Sequence, residues 1–254
     1  MMFFPSLRTM ALCTTLVVTA GALAAQNACN VQSGATITPV VELYTSEGCS
    51  SCPPADRWVS GLKGQAVGAS PAVIQAFHVG YWDYIGWVDR FANPAHTTRQ
   101  RQIASWNNQR SIYTPQAVLN GRDWRDWNQS GDKLPTSRET AHASISLKQL
   151  GADQFEAVVT ADEGAPAVWS AYWTVTENGH NSKVKAGENA GEFLQHDYVV
   201  RQYTPAGDYR STAATPQRLV LRSIAPAAGH ARLINLVVFD SKTGKTLQAV
   251  SAAC

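Results

Sequence analysis

Short apolar runs separated by turn residues dominate this chain, and their order changes near its middle. Pro39-Val40-Val41-Glu42-Leu43-Tyr44-Thr45 reads as a buried strand, and Ala72–Val79 as a second. Between them, Pro53–Leu62 opens on two prolines, which suit a helix's first turn where no N–H is needed. Trp58, Val59 and Leu62 then share one helical face. Pro94–Gln109 predicts a polar helix, and Gln116–Gly121 a third strand with its turn. A short strand near Arg122–Trp127 and a helix around 135–143 complete the order β-α-β-α-β-β-α. From about residue 144 helical periodicity disappears. Ser144–Leu150, Phe155–Ala161, Ala167–Thr176, Tyr198–Tyr203, Gln217–Ser223, Leu233–Phe239 and Lys245–Val250 alternate or are β-branched, with Ser241–Gly244 as a hairpin turn. So many short strands predict an antiparallel, sandwich-like second domain over 144–254.

The N-terminus changes the picture of what folds. Residues 1–24 carry a single charge, Arg8, then an apolar run from Met10 to Ala24 that ends in small residues. This is the pattern of a secretory signal peptide, too short and too rich in Thr, Ala and Gly for a good membrane span. Cleavage after Ala24 leaves roughly 230 residues, enough for two modest cores, with 25–35 as a polar tail. No later stretch is apolar enough to span a bilayer, so the expected product is periplasmic or secreted, without stable membrane insertion. The formal charge of +2 comes with no basic block, which argues against nucleic acid as a partner.

Of five cysteines, Cys13 leaves with the signal. The remaining four permit three pairings, and their spacing favours Cys49–Cys52 and Cys29–Cys254. Cys49-Ser50-Ser51-Cys52 sits at the first strand-to-helix turn. With the β-α-β start, that predicts an α/β thioredoxin-like domain over 36–143. There the helix dipole and free N–H groups favour a Cys49 thiolate, the attacking group, and Cys52 lies one turn on to resolve a mixed disulfide. No cofactor beyond this dithiol is then required, and the partner is a protein or small-molecule thiol or disulfide. An inert bridge and half of a zinc site are the alternatives. Zinc needs two more ligands, and the six histidines form no ligand motif.

Three further segments carry candidate roles. Thr114-Pro115 precedes the third strand, where a cis proline would face the dithiol and position a substrate. His78-Val79-Gly80-Tyr81-Trp82-Asp83-Tyr84-Ile85-Gly86-Trp87 is aromatic enough for His78, Tyr81, Trp82, Asp83, Tyr84 and Trp87 to form a wall beside the dithiol, or to pack under the second domain. His78 or Asp83 is a candidate proton acceptor for Cys52. Lys185–Glu192, with two glycines around Glu188-Asn189, reads as a structural turn within reach of His196, Asp197 and Arg201.

The runs VVELYTSEGCSSCPPAD, FHVGYWDYIGW, TTRQR, IYTPQAVLNG and GENAG…HDYVVR resemble the bacterial exported family DUF1223, a domain of unknown function. The resemblance implies export and a thioredoxin-like fold, and it implies an acidic residue where Gly80 stands. It supplies no substrate. Thiol–disulfide exchange leads the readings; a non-catalytic binding module on the same scaffold and copper handling through the two thiolates are the others.

Overall fold

The computed structural model describes residues 1–2, 29–66, 72–211 and 215–254. The expected signal peptide falls, apart from residues 1–2, outside them. Among the described residues there are two α-helices, α1 (Pro53–Gly61) and α2 (Pro94–Trp106). The early strands are β1 (Asn30–Gln32), β2 (Val40–Thr45), β3 (Val73–His78), β4 (Gln116–Leu119) and β5 (Arg122–Asp123). The later strands are β6 (Ala143–Gly151), β7 (Gln154–Ala161), β8 (Val168–Glu177), β9 (His180–Lys183), β10 (Phe193–His196), β11 (Val199–Arg210), β12 (Gln217–Arg222), β13 (Arg232–Asp240) and β14 (Thr246–Ala253).

The expectation of an α/β thioredoxin-like fold is overturned: the chain is mostly β. The β2-α1-β3 crossover forms, with β2 and β3 parallel from Val40↔Val73 to Thr45↔His78, and β4 runs antiparallel to β2. Those strands do not close a small sheet of their own. The other edge of β3 is taken by β11, parallel at Val199↔Ala76, with the Ala76 N–H donating to the Tyr198 carbonyl at 2.8 Å. One eight-stranded sheet results, ordered β14-β13-β8-β11-β3-β2-β4-β5. The physical reason is edge satisfaction. A buried, apolar β3 cannot leave its backbone groups unpaired, and β11 supplies the partner from the far half of the chain.

Three local expectations also change. Residues 135–143 form no helix; an isolated bridge joins Thr36 to Thr140. Residues 127–129 make a single 3₁₀ turn rather than continuing β5. The expected tail contributes β1, which pairs with β6.

Packing explains the rest. A four-stranded sheet, β1-β6-β7-β12, lies over the β8/β13/β14 end of the large sheet. Ile145, Leu147, Phe155, Trp169, Trp173 and Leu236 interlock between the two. At the other end both faces of β2 are buried. Val41 and Leu43 pack under α1 with Val59 and Leu62, while Val40 and Tyr44 point to the α2 side with Phe77 and Ile103. Polar α2 tolerates this position because its buried Arg99 forms a bidentate pair with Glu42 of β2, at 2.8 and 3.2 Å. Cys29–Cys254 joins β1's approach to the end of β14 across 225 residues, a closure that constrains the unfolded chain by about 5 kcal/mol in the entropic account.

Candidate functional site

Strand β2 ends at Thr45 and the chain turns through Ser46–Ser51 into α1. The turn is fixed by the Cys49 N–H donating to the Ser46 carbonyl (3.1 Å) and the Cys52 N–H to the Cys49 carbonyl (3.1 Å). Cys49 and Cys52 are joined by a disulfide, and Cys52 is the residue that caps α1. Both cysteines are 0% exposed, although Ser50 and Ser51 between them face solvent.

The lid over this bridge comes from the second half of the chain. β9 and β10 form a separate two-stranded hairpin, and the loop between them reaches the dithiol turn. Asn189 Nδ2 donates to the carbonyls of Glu47 (2.8 Å) and Cys49 (3.0 Å). The Ser50 N–H donates to Glu188 Oε2 at 2.9 Å, and the Ser50 hydroxyl together with that bond holds the Glu188 carboxyl below its usual range. Gly187 adopts φ +75°, and a Cβ there would lie 3.1 Å from Ile85 Cδ1, so glycine is needed for this close approach. The expected structural turn at 185–192 is therefore part of the dithiol's surroundings. Of its expected partners, only His196 turns toward the dithiol turn. Asp197 pairs with Lys63 (2.8 Å) and Arg201 with Glu177 (2.7 Å).

The aromatic segment supplies another side. Trp82 lies against Gly48, where a Cβ would be 3.0 Å from Trp82 Cβ, and its Nε1 donates to Thr114 Oγ1 at 2.8 Å. The Thr114–Pro115 peptide is cis. Trp87 Nε1 donates to Glu47 Oε2 at 2.7 Å. Tyr84 stands apart, 81% exposed, and the Tyr81 hydroxyl is buried without a partner. Asp83 bonds within its own segment: its Oδ1 accepts from the Asp89 N–H at 3.2 Å. Its Oδ2 lies 3.2 Å from where a Gly80 Cβ would stand, so the Asp83 carboxylate occupies the space beside the residue the family likeness expected to be acidic.

Around the dithiol turn is a group of ionisable side chains that sequence reading found only in part. Glu47, Asp56, His78, Asp89 and His196 are all buried. His78 Nδ1 and Asp89 Oδ2 are 2.7 Å apart, and Asp89 also accepts from the N–H groups of Glu47 and Phe91, each at 2.9 Å. The His78 and His196 rings meet edge to face with centroids 4.8 Å apart. His196 Nε2 is 3.2 Å from Glu47 Oε1, and its Nδ1 is 3.8 Å from Asp56 Oδ2. These contacts have ion-pair separation without hydrogen-bond alignment, since Glu47 Oε1 and both His196 nitrogens lack hydrogen-bond partners.

The electrostatics differ from group to group. Burial alone would lower the His78 pKa, but the Asp89 carboxylate, aided by Asp56 and Glu47, raises it overall. Burial would raise Asp89, yet His78 and the backbone donors hold it below the usual carboxylate range. Burial raises Asp56 against the attraction of both histidines. Burial also opposes ionisation of Glu47, and there His196, Ser182 and Trp87 prevail to lower its pKa. His96 is pushed down to about 4 by burial, and its Nδ1 donates to the His78 carbonyl at 2.8 Å. Among the described residues no group of His, Cys, Asp or Glu has metal-binding geometry.

The faint signals were positional. Glu47 lies two residues before Cys49 and Asp56 four after Cys52, whereas Asp89 and His196 reach the group only through tertiary contacts.

Comparison with known proteins places this arrangement. No curated protein matches the chain. Protein AGR_C_4864 from Agrobacterium tumefaciens shares the fold, with a TM-score of 0.61 at 22% identity over 87% of this chain and 96% of that one. HBP35 of Porphyromonas gingivalis shares it at a TM-score of 0.54 and 14% identity, over 87% of this chain and 76% of that one. The profile described as "Protein of unknown function (DUF1223)" matches residues 40–238, which include the dithiol, the aromatic segment and the β9–β10 hairpin, and the chain belongs to that family.

Proposed function

We propose that the protein is an extracytoplasmic thiol–disulfide oxidoreductase working through Cys49 and Cys52. The observation that carries this reading is the Cys49–Cys52 bridge at the start of α1. Backbone N–H groups at a helix start favour an anion, so the thiolate of Cys49 forms readily once the bridge is reduced. Cys52, one turn on, is placed to resolve a mixed disulfide. Trp82 and the Thr114–Pro115 segment shape one side of the approach, and Glu188-Asn189 the other. The two disulfides fit an oxidising compartment, and among the described residues no helix is long and apolar enough to cross a membrane.

A Cys52→Ser variant tests the reading. Mixed with a peptide disulfide, it should accumulate a mixed disulfide at Cys49, identified by peptide mass analysis, and Cys49→Ser should accumulate none. Absence of the adduct from the Cys52→Ser protein contradicts the reading. One observation favours a second reading, a binding module with a permanently closed bridge: both cysteines are 0% exposed. That reading predicts that the double Cys49→Ser, Cys52→Ser variant keeps every activity of the parent.

A further inference from the structure

Both cysteines are closed off from solvent, so a thiolate released at Cys52 cannot be solvated by water in this conformation. Burying an unpaired charge is costly, and the departing sulfur therefore needs a proton from within the protein. Cys52 has helical backbone angles, which puts Asp56, four residues on, along the same side of α1; both side chains are buried.

We propose that the Asp56–His196–Glu47 group, backed by the His78–Asp89 pair, carries the proton to Cys52 when the bridge is reduced. The inference rests on the oxidoreductase reading above and assigns roles that the dithiol motif does not contain.

Two independent observations support it. First, Glu47 Oε1, His78 Nε2 and both His196 nitrogens are buried without hydrogen-bond partners, and the contacts between Glu47, His196 and His78 bring them into one neighbourhood. Native proteins satisfy such groups, with ordered water where protein partners are missing. Polar atoms left open between acids and imidazoles are the fabric of a proton path. Second, the group has a direction. Asp89 lines a cleft of about 480 Å³ together with Gly80, Asp83, Val88, Ala92 and Arg101. From there Asp89 pairs with His78, His78 meets His196, and His196 stands between Glu47 and Asp56. The neighbouring charged and titratable groups are Glu188 on the lid, His180 on β9, which packs on Phe91, and His96 on α2, bonded to the His78 carbonyl.

The step balances as follows. A donor thiolate bonds to Cys49 Sγ, the Cys49–Cys52 bond breaks, and its electron pair leaves on Cys52 Sγ, which takes the proton. The donor's second thiol then displaces Cys49, which leaves as the thiolate. The donor is oxidised by two electrons to its disulfide and releases two protons to solvent; one returns to Cys52 through the buried group, and the other remains in solvent.

The test is reduction of the full chain by dithiothreitol at constant thiolate concentration across pH 5–9, in the range where rate is proportional to reductant, read by acid quench and alkylation. The rate per thiolate should fall as pH rises in the parent. His196→Gln and Asp56→Asn should each lower it at least tenfold at pH 6 and flatten the profile. The double variant should be no slower than the worse single one, because the residues act as a unit. Circular dichroism and thermal melting identify variants that fail to fold, for which His196→Asn and Asp56→Glu stand in. Folded variants that keep the parental rate and pH profile overturn the proposal. A midpoint potential outside the exchange range would instead overturn the oxidoreductase reading, whatever these rates show.

Discussion

Asn189 Nδ2 lies 3.0 Å from the carbonyl oxygen of Cys49, a residue 140 positions earlier in the chain. The same nitrogen donates to the Glu47 carbonyl, so one amide ties the hairpin loop to both sides of the dithiol turn. The contact is buried; removing it leaves the Glu47 carbonyl without its donor and the Cys49 carbonyl with the Cys52 N–H alone.

Access to the bridge therefore depends on this loop. Losing buried hydrogen bonds of this kind costs about 1–3 kcal/mol, or roughly 5- to 150-fold in the population of open loop. Asn189→Ala should accelerate reduction of Cys49–Cys52 by dithiothreitol within that range. An unchanged rate, measured by alkylation of the released thiols, would show that the loop does not limit access.

Stability should respond to the His78–Asp89 pair. The raised His78 pKa contributes stability that is fully present below the ordinary histidine value of 6.5 and is lost as pH rises through the elevated folded value. The lowered Asp89 pKa contributes stability present above the ordinary 3.8 and lost as pH falls through its depressed value. The pair is therefore at full strength between about pH 4 and 6.5. Thermal melting should show a decline in Tm above that window, and His78→Gln should remove this part of the decline. A His78→Gln protein with the parental Tm profile would contradict the assignment.

Arg99 is the second buried charge to test. Its guanidinium pairs with Glu42 and lies over the rings of Tyr172 and Phe239, centroids 4.4 and 5.1 Å away. Arg99→Met should destabilise the chain by about 3–5 kcal/mol, because Glu42 is left buried without its partner. Glu42→Gln with Arg99→Met should recover much of that loss. Urea denaturation of the two variants measures both.

The parts of the fold legible in the sequence were those governed by local pattern. The β2-α1-β3 unit, α2 and the hairpin closing on Gly244 lie close to where apolar spacing, Pro53 and Pro94 put them. What could not be read was the pairing between distant strands. Val199↔Ala76 joins segments more than a hundred residues apart, and nothing local in either strand names the other. The thioredoxin-like expectation failed on that contact. The candidate site divides the same way. Cys49 and Cys52 announce themselves by spacing, whereas Asn189 and His196 acquire meaning only when the β9–β10 hairpin is folded onto α1. His180 and Phe193 give those two strands a weak pattern, four residues each, too short to separate from a loop.

Whether Cys49–Cys52 exchanges electrons in service is decided by the midpoint potential of that pair. Glutathione titration with thiol trapping and peptide mass analysis separates it from Cys29–Cys254. A working exchange site should show a midpoint between about −120 and −270 mV, where exchange proteins lie. A bridge that remains oxidised below about −300 mV would be structural, and the protein would not be an oxidoreductase through this pair.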